Sequence, residues 1–500
     1  MNKSIFAPTR FWYFVLLAVI LVCGLVTRLY DLTDPPLDFA STRQLRSALI
    51  ARGMYYPYLD DAPEWKQTIA EKQGRHSMIE PTILESIVAG TYHLVGGEYV
   101  WIARIYSSLF WILGGIALFF LVEEMVSTDG AFIALMYYLF VPFGIVASRS
   151  FQPDPLLTAL IIVSWWTFFK WYRSSTWKWA LLAGLSAGAA MMVKSTAIFF
   201  LLFAFSLLAL QKEGIKRLIR DKQVWLIIVL SGAPVLIYHI YGVFIVGSLG
   251  EQFQGRFFPQ MLSDPGYYLQ WKNAISSVAG HTIILIAAIF GLVLYFRKEK
   301  LWYLAGIGIG YILYCLFFTY HITTHYYYHL PIIPLVGLLL AGFYDFFVKF
   351  FHHKLFSNLI RIGFAIILLI GVGGGYYLLH QEDYRYEPYY YNKVASFVER
   401  DAKVVTISQD YGNRIAFYGW IVTKQWKSTG DRAYSALRGT IQEPFREEFD
   451  SFTAGYDYFL ITSINQLQKQ VELYNHLHKN YAIHEEGGGY IIFDLNQIIE

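Results

Sequence analysis

The chain has 500 residues, of which 56% are hydrophobic, 18% are aromatic and only 15% are charged. A water-soluble protein of this size needs more polar surface, so most of the chain is expected to face lipid. The net charge of +3 is too small to indicate nucleic acid as a partner. The two cysteines, Cys23 and Cys315, lie inside apolar runs, which excludes a disulfide framework.

Apolar segments long enough to cross a bilayer recur throughout the first 380 residues. The first of them, FWYFVLLAVILVCGLVTRLY, is too long for a signal-peptide core and lacks a small-residue cleavage site, so we expect a retained helix. A tight turn is expected at Lys194, between two adjacent apolar runs. The sequence predicts about eleven transmembrane helices, at 11–30, 99–122, 130–148, 155–172, 177–193, 195–211, 223–247, 275–296, 301–319, 328–350 and 358–380.

The distribution of Lys and Arg predicts the orientation of these helices. With the N-terminus inside, the cytoplasmic segments carry sixteen Lys and Arg residues, and the short external loops carry only four: Arg149, Lys194, Arg256 and Lys272. The first long loop and the C-terminal tail then lie outside. The sequence therefore predicts a multi-pass protein of the plasma membrane with a cytoplasmic N-terminus.

Two extramembrane segments complete the predicted organisation. In the first loop, residues 31–98, STRQLRSALIARGMYY and PTILESIVAGTYHLV show helical spacing but are too short or too polar to span, which favours amphipathic interfacial helices. Residues 381–500 contain 12 basic and 17 acidic residues and include strand-like VVTIS, YDYFLITS and YIIFDL. YNKVASFVERD and INQLQKQVELYNHLHKN are helix-like. We expect a polytopic α-helical membrane domain at 1–380 and a small α/β extracytoplasmic domain at 381–500.

Charged and histidine side chains recur at the predicted external ends of the spans. Ionisable groups at membrane depth are costly, so each of them is a functional hypothesis. The set comprises Asp38, Arg43, Glu80, Glu85, Arg149, Asp154, Lys194, Arg256, His321, His325 and His329.

Asp38 is the candidate general base. A partly shielded carboxylate near the membrane surface is suited to take a proton from an attacking hydroxyl. The alternative is that Asp38 caps the helix that is expected to begin just after it. Arg43, five residues further on, either anchors a phosphate or pairs with Asp38.

Two further charged positions also permit a structural interpretation. Prolines bracket Asp154 in RSFQPDP and break the helix there, although a helix start with Asp154 as the cap would give the same pattern. That alternative leaves Arg149 unexplained. Lys194, in MMVKSTAIFF, needs an anion, for which a lipid phosphate would serve, or must extend to the surface.

The histidines of TYHITTHYYYHLP recur every four residues, so a helix would place them on one face, as metal ligands require. No neighbouring carboxylate completes a metal site, and no cofactor is predicted with certainty; a divalent metal is left open. Hydrogen bonding of a phosphate or sugar by these residues with Tyr326, Tyr327 and Tyr328 is favoured over an aromatic belt. QDYGNR, residues 409–414, is read as a strand-to-helix turn rather than a cover over the membrane site.

Together, an Asp-bearing loop after the first span, two interfacial helices, a Pro-Asp-Pro turn and a His-Tyr-rich loop resemble the GT-C membrane glycosyltransferases. The resemblance is most specific at residues 28–56 and 149–155, with HYYYHLPIIP in support. The most similar branch is family 39, whose relatives include protein O-mannosyltransferases and the lipid A aminoarabinose transferase.

The resemblance implies transfer of a sugar from a polyprenyl-phosphate donor to a hydroxyl acceptor in a lipid, glycan or protein, with inversion. Asp38 matches the loop aspartate regarded as the family's base, and Asp154 matches the aspartate of the second external loop. Many members carry an Asp-Glu pair where Phe39 follows Asp38 here, which favours a prokaryotic relative with a different acceptor over a eukaryotic-type mannosyltransferase. The expected substrate-binding residues are Arg43, Glu80, Arg149, Asp154, Lys194, Arg256, His325, Tyr326 and Tyr327.

A transporter or flippase of a lipid-linked or anionic substrate is the competing interpretation. A translocation path needs polar groups at the membrane midplane, whereas the centres of the predicted spans are nearly uncharged. A structural or assembly subunit would leave the cluster of Asp38, Arg149 and Asp154 unexplained. The sequence therefore favours an enzyme whose partners are the lipid bilayer, a polyprenyl-phosphate donor and a hydroxyl-bearing acceptor.

Overall fold

The computed structural model describes residues 4–76, 79–247, 249–250, 256–296, 299–348 and 354–499. The chain divides into two compact units, which we call the helical unit and the α/β unit. The helical unit comprises Met1–Leu32, Ser77–Ile83 and Ala103–Gln381. The α/β unit comprises Thr33–His76, Leu84–Ile102 and Glu382–Glu500. Most of the first loop therefore folds together with the C-terminal residues.

The described helices up to His380 follow one another along the chain. They are α1 (Arg10–Arg28), α2 (Ser41–Tyr55), α3 (Glu64–Gly74), α4 (Ile83–Val95), α5 (Trp101–Met125), α6 (Thr128–Phe140), α7 (Pro142–Ala147), α8 (Asp154–Ser174), α9 (Trp177–Val193), α10 (Ala197–Leu218), α11 (Lys222–Ile240), α12 (Pro265–Ala279), α13 (Thr282–Tyr295), α14 (Glu299–Phe317), α15 (Thr319–Thr324), α16 (Ile332–Val348) and α17 (Lys354–His380). A π-helical turn, Tyr241–Ile245, extends α11, and a 3-10 turn, Tyr326–His329, precedes α16.

Five described helices are long and apolar enough to cross a membrane, or six if one bent pair counts as a single span. The five are Arg10–Arg28, Trp101–Met125, Lys222–Ile245, Lys300–Phe317 and Leu355–His380. The bent pair is α12 and α13, which meet at 87° where one span, 275–296, was predicted. Gly280 lies at that bend with φ +95°, a conformation that favours glycine.

Of the remaining predicted spans, 155–172 corresponds to α8. The spans 130–148, 177–193, 195–211 and 328–350 correspond to shorter apolar helices. Span 130–148 is divided into α6 and α7, because Pro142 follows an extended Val141 and starts a new helix. The turn expected at Lys194 is confirmed, since α9 ends at Val193 and α10 begins at Ala197. The last two residues of span 328–350 lie outside the described residues. The multi-helical membrane fold is confirmed, and the count of eleven stays a prediction.

Small residues let the helices of the helical unit pack backbone to backbone. A Cβ on Gly310 of α14 would lie 1.8 Å from the carbonyl oxygen of Phe199 in α10, and one on Gly188 of α9 would lie 2.3 Å from that of Leu230 in α11. Lipid supplies no hydrophobic drive between spans, so close packing at small residues is a main source of helix association. These contacts join α14 to α10 and α9 to α11, and all four helices line the cavity described below.

The α/β unit is built on a five-stranded mixed sheet. Its strands are β1 (Val404–Ile407), β2 (Thr423–Gln425), β3 (Tyr458–Ile461), β4 (Tyr481–Gly487) and β5 (Tyr490–Ile498), in the order β2-β1-β3-β5-β4. β1 pairs in parallel with β2 and β3, while β5 pairs antiparallel with β3 and β4. The predicted strands VVTIS, YDYFLITS and YIIFDL are confirmed, and β1 and β3 are buried along their whole length.

Six described helices precede or connect these strands: α18 (Tyr386–Ala395), α19 (Asn413–Gly419), α20 (Thr429–Leu437), α21 (Phe445–Thr453), α22 (Ile464–Gln468) and α23 (Val471–Asn480). Each face of the sheet has its own apolar core. One core contains Tyr391, Ile415 and Ile492, and the other contains Trp426, Phe449 and Phe493. The predicted helix over INQLQKQVELYNHLHKN is divided into α22 and α23, and QDYGNR is the expected strand-to-helix turn between β1 and α19.

The helices of the first loop pack within the α/β unit. Arg52 of α2 lies over the rings of Phe417 and Trp420, at 4.0 and 3.9 Å from their centroids, and donates to the Phe417 carbonyl at 2.7 Å. Gln73 of α3 donates to the carbonyls of Ala416 and Ile421 at 2.7 and 3.0 Å. These buried polar contacts tie α2 and α3 to α19 and the residues after it.

The crossing of α2 and α3 depends on two glycines, Gly53 and Gly74. A Cβ on Gly53 would lie 2.6 Å from the Cα of Gly74, closer than real Cβ contacts. We expect Gly53→Ala to lower the free energy of unfolding by about 2 kcal/mol, because the helices must separate. Gly90→Ala on α4 is the matched control, since its Cβ meets nothing within 4 Å and alanine favours a helix. Equal thermal midpoints of the two variants in detergent would contradict this.

Candidate functional site

The side chains predicted to act together are found in two places, one in each unit. In the α/β unit, half-buried Asp38 lies in the turn that leads into α2, and Gln44 Nε2 donates to its Oδ1 at 3.1 Å. The same Gln44 nitrogen donates to the Phe39 carbonyl at 2.7 Å, so one buried amide orients both residues. The cap of α2 is Ala40, which has φ 43° and no capping side chain. The structure therefore does not support the interpretation of Asp38 as the helix cap.

Other predicted residues surround this loop in sequence. Arg43 is half-buried on α2, in the α/β unit, and Glu80 is half-buried in the segment before α4, in the helical unit. Glu85 is buried and accepts a hydrogen bond from Ser47 at 2.7 Å, which joins α4 to α2. Burial raises the pKa of Tyr384, and the carboxylates of Glu382 and Asp38 raise it further. The Tyr384 hydroxyl therefore stays protonated at neutral pH.

In the helical unit, Asp154 and Lys194 form a buried ion pair. Lys194 Nζ donates to Asp154 Oδ1 at 3.0 Å, and the two residues are 8% and 3% exposed, respectively. Lys194 is thus not extended to a surface. Asp154 is the first residue of α8 and follows Pro153, which occupies the cap position, so Asp154 does not cap the helix. Among the described residues, Asp154 Oδ2, both amide atoms of Gln152 and the Thr158 hydroxyl are buried without a hydrogen-bond partner.

Four cationic or imidazole side chains converge on the ring of Tyr328. Lys194 Nζ is 4.6 Å from the ring centroid, and Arg256 Nη1 donates to the Tyr328 hydroxyl at 3.3 Å. The rings of His321 and His325 are 5.4 and 5.9 Å from it. We call Lys194, Arg256, His321, His325, Tyr327 and Tyr328 the Tyr328 cluster. It is rich in hydrogen-bond donors and positive charge, which suits an anion.

The histidine run does not form one helical face. α15 ends at Thr324, and a 3-10 turn carries Tyr326 to His329. His329 is fully buried, and its two ring nitrogens contact the Tyr311 hydroxyl at 2.7 Å and the Ile322 carbonyl at 3.0 Å. Tyr326 is 40% exposed, whereas Tyr327 is buried. Within the part of the chain that the structure describes, no three His, Cys, Asp or Glu side chains could hold a metal ion together.

Arg149 contacts backbone at the end of α1. It is 2% exposed and donates to the carbonyls of Tyr30 and Asp31 at 2.6 and 2.8 Å. Arg104 donates to the same Asp31 carbonyl at 3.2 Å, and buried Arg28 donates to the Gly24 and Leu139 carbonyls. These arginines donate to carbonyls near the end of α1, just after it, and near the end of α6. Arg149 therefore stabilises the backbone after α1, a structural role that the sequence did not indicate.

An apolar cavity of about 660 Å³ adjoins the Tyr328 cluster. Its lining on α10 runs from Ile198 to Ala209, a length of about 16 Å, or roughly half the hydrocarbon core of a bilayer. One end is lined by Thr196 and Phe318. Thr196 is two residues from Lys194, and the Phe318 ring is 6.2 Å from that of Tyr328. The cavity therefore ends beside the cationic cluster.

The chain is similar to a family model and to several solved structures. A family model described as dolichyl-phosphate-mannose-protein mannosyltransferase matches residues 80–241, and no curated protein sequence matches the chain. ArnT from Cupriavidus metallidurans, solved bound to undecaprenyl phosphate, is similar with a TM-score of 0.57 at 14% identity, over 96% of this chain and 97% of ArnT. AglB from Archaeoglobus fulgidus, an oligosaccharyltransferase solved with an inhibitory peptide and a dolichol-phosphate, gives 0.56 at 10% identity, over 95% and 73%. The arabinofuranosyltransferase AftD from Mycobacteria gives 0.55 at 13% identity, over 99% and 40%.

The chain has the GT-C membrane glycosyltransferase fold. The resemblance that the sequence predicted is thus confirmed, and it extends over nearly the whole chain. Two members of the Tyr328 cluster, His321 and Tyr328, were considered with the histidine run but are not among the nine substrate-binding residues expected from the sequence. His321 lies in the noticed four-residue spacing, but nothing in the run YYY distinguishes the central Tyr328 from its neighbours.

The Asp154–Lys194 pair provides a stability test. Lys194→Met leaves a carboxylate buried without its cation, which we expect to lower the free energy of unfolding by about 3 kcal/mol. Adding Asp154→Asn removes the buried charge and is expected to recover most of that loss. Lys178→Met, at the exposed start of α9, the helix that ends just before Lys194, is the control. Thermal unfolding in detergent measures all three variants, and equal midpoints for Lys194→Met and Lys178→Met would contradict the prediction.

Proposed function

We propose that the chain is an inverting glycosyltransferase that moves a sugar from a polyprenyl-phosphate donor to a hydroxyl acceptor at the outer face of a prokaryotic plasma membrane. The observation that carries this proposal is the cationic Tyr328 cluster at the end of an apolar cavity. A polyprenyl phosphate has the same division, with an anionic head on a long apolar tail. The acceptor hydroxyl belongs to a lipid, a glycan or a protein.

Arg256 and Lys194 support the assignment of the phosphate. A guanidinium binds phosphate oxygens through its planar fork, and an ammonium adds a point charge. Lys194 is already paired with Asp154, and its positive charge also lies 5.5 Å from the centroid of Tyr327. In a site with little water these charges act strongly on an anion. The polyprenyl tail would follow α10 along the cavity.

The transfer itself needs a base and a stabilised leaving group. Asp38 takes the proton from the acceptor hydroxyl while the acceptor oxygen attacks the anomeric carbon of the sugar. The bond between that carbon and the phosphate oxygen breaks, and its electron pair leaves with the polyprenyl phosphate. Attack opposite the leaving group inverts the anomeric carbon. Arg256 and Lys194 stabilise the charge that develops on the departing phosphate oxygen.

The comparisons support the donor class. ArnT was solved with undecaprenyl phosphate and AglB with a dolichol-phosphate, and both share the fold of this chain. The matching family model is described by a dolichyl-phosphate-linked sugar. The transporter interpretation has no comparable support, because AglB and AftD are both described as transferases. Phe39, in place of a second carboxylate, leaves Asp38 as the base of this loop.

The role of Asp38 is tested by Asp38→Asn. We expect a loss of transfer of at least about 100-fold, because the amide cannot accept the hydroxyl proton. Membranes containing the full chain are supplied with radiolabelled polyprenyl-phosphate sugars, and incorporation into membrane acceptors is measured. Asp61→Asn, an exposed carboxylate of the same unit, is the control and should transfer like the wild type. Equal transfer by Asp38→Asn would refute the assigned base, and no transfer by the wild type from any donor would refute the proposed activity.

The phosphate site is tested by Arg256→Gln. The loss of one charge-assisted hydrogen bond to phosphate is expected to raise the Kd for undecaprenyl phosphate about tenfold. Lys272→Gln, an exposed cation on α12, should leave the Kd unchanged. Binding of undecaprenol, which has the tail without the phosphate, should be the same for the wild type and Arg256→Gln. A parallel loss for undecaprenol would show that the substitution disturbs the tail cavity instead.

A further inference from the structure

The loop that carries Asp38 is held at both ends by residues of the C-terminal segment. On one side, buried Asp34 accepts a hydrogen bond from the Tyr384 backbone amide at 2.9 Å, with the Arg385 guanidinium 3.7 Å away. On the other side, Asp410 Oδ1 accepts from the hydroxyls of Ser41 at 2.6 Å and Thr42 at 2.9 Å. Asp38 is four residues after the first anchor and three before the second.

Asp410 lies where a sheet of this kind commonly binds a ligand. It follows β1, whose parallel neighbours are β2 on one side and β3 on the other, so the chain reverses its direction of winding there. In open α/β sheets, the crevice at the carboxyl ends of such strands is the usual binding place. At this edge the Thr462 hydroxyl donates to the Gln409 amide oxygen at 2.6 Å and accepts from the Ser408 hydroxyl at 2.8 Å. Beside these residues Asp410 contacts the first turn of α2. A segment of the protein itself thus lies where a ligand would usually bind.

The backbone at Asp410 is strained. Asp410 and Tyr411 have φ of 53° and 57°, and Gly412 follows with φ 78°. Two successive non-glycine residues in the left-handed region cost free energy, and such strain persists only where the surroundings impose it. Arg414 contacts the strained turn, because its Nε donates to Asp410 Oδ2 while its Nη1 contacts Glu387 at 3.1 Å. One carboxylate oxygen is thereby fixed by Arg414, and the other faces α2.

We propose that Asp410 is a positioning residue that sets the place of Asp38 through the first turn of α2. This inference rests on the proposed function, since it assumes that Asp38 is the base. The path is short: Asp410 holds Ser41 and Thr42, and Gln44 in the same turn donates to Asp38 and to the Phe39 carbonyl. Asn413 Nδ2 donates to the Thr42 carbonyl at 3.3 Å and adds a second tie. A misplacement of about 1 Å lowers a rate about 100-fold.

Asp410→Ala and Asp410→Gly are the test variants, assayed as the full chain in membranes. Both remove the acceptor oxygens, but glycine also relieves the left-handed strain, so its stability should not fall as that of alanine does. We expect kcat to fall about 100-fold in both, with the KM for the polyprenyl-phosphate sugar unchanged. Asp401→Ala, at the opposite end of β1, is the control and should keep the wild-type kcat. If kcat fell in Asp410→Ala and not in Asp410→Gly, in parallel with their thermal midpoints, the loss would reflect stability and the proposal would be overturned.

A double-mutant cycle identifies the contact. Ser41→Ala with Thr42→Val removes the same hydrogen bonds from the side of α2, so adding Asp410→Ala to this pair should cause no further loss of kcat. Additive losses would overturn the proposal, and so would wild-type kcat in Asp410→Ala. Asp38→Asn separates the two hypotheses. If Asp38→Asn is inactive while Asp410→Ala is fully active, the positioning role alone fails; if Asp38→Asn is active, the proposed base fails.

Discussion

The buried ion pair between Asp154 and Lys194 is the contact on which the helical site depends. Removing both charges from water is costly, and the pair persists because its members neutralise each other at 3.0 Å. It joins the start of α8 to the turn between α9 and α10. This fixes a cation beside Tyr328, where Arg256 and two histidines also converge. The cationic Tyr328 cluster is therefore a consequence of how two helix ends are joined.

In the α/β unit, a different constraint orders the candidate base. The segment around Asp38 is irregular, so it has no helix or strand ladder to hold it. Its position comes from hydrogen bonds supplied by Gln44 on one side and by Tyr384 and Asp410 from the C-terminal segment. A catalytic group needs a fixed geometry, and here a sheet provides the rigidity that the loop lacks. The five-stranded sheet is thus part of the machinery that we propose.

Local signals predicted a good part of this architecture. Pro142 divides one predicted span into α6 and α7, and Pro153 immediately precedes α8. The sequence indicated the break around Asp154 and the turn at Lys194 between α9 and α10, but not the break at Pro142. Three of the five strands were recognised from β-branched runs, while β2 has three residues and β4 is half exposed, so neither gave a clear pattern. The histidine spacing suggested one helical face, but the helix ends at Thr324, and His329 turns to Tyr311 instead. Spacing alone cannot show where a helix stops.

By itself the sequence determined the membrane-embedded class, the α/β tail, the GT-C resemblance and the choice of Asp38, because apolar runs, strand patterns and short motifs are local. Only the tertiary structure decided which charged residues have partners in the fold. Asp154 pairs with Lys194, 40 residues away, and Arg149 is directed to the carbonyls at the end of α1. Asp410 reaches Ser41 across 369 residues of chain. Such pairs depend on how distant segments pack. The sequence around one partner contains no local signal that identifies the other.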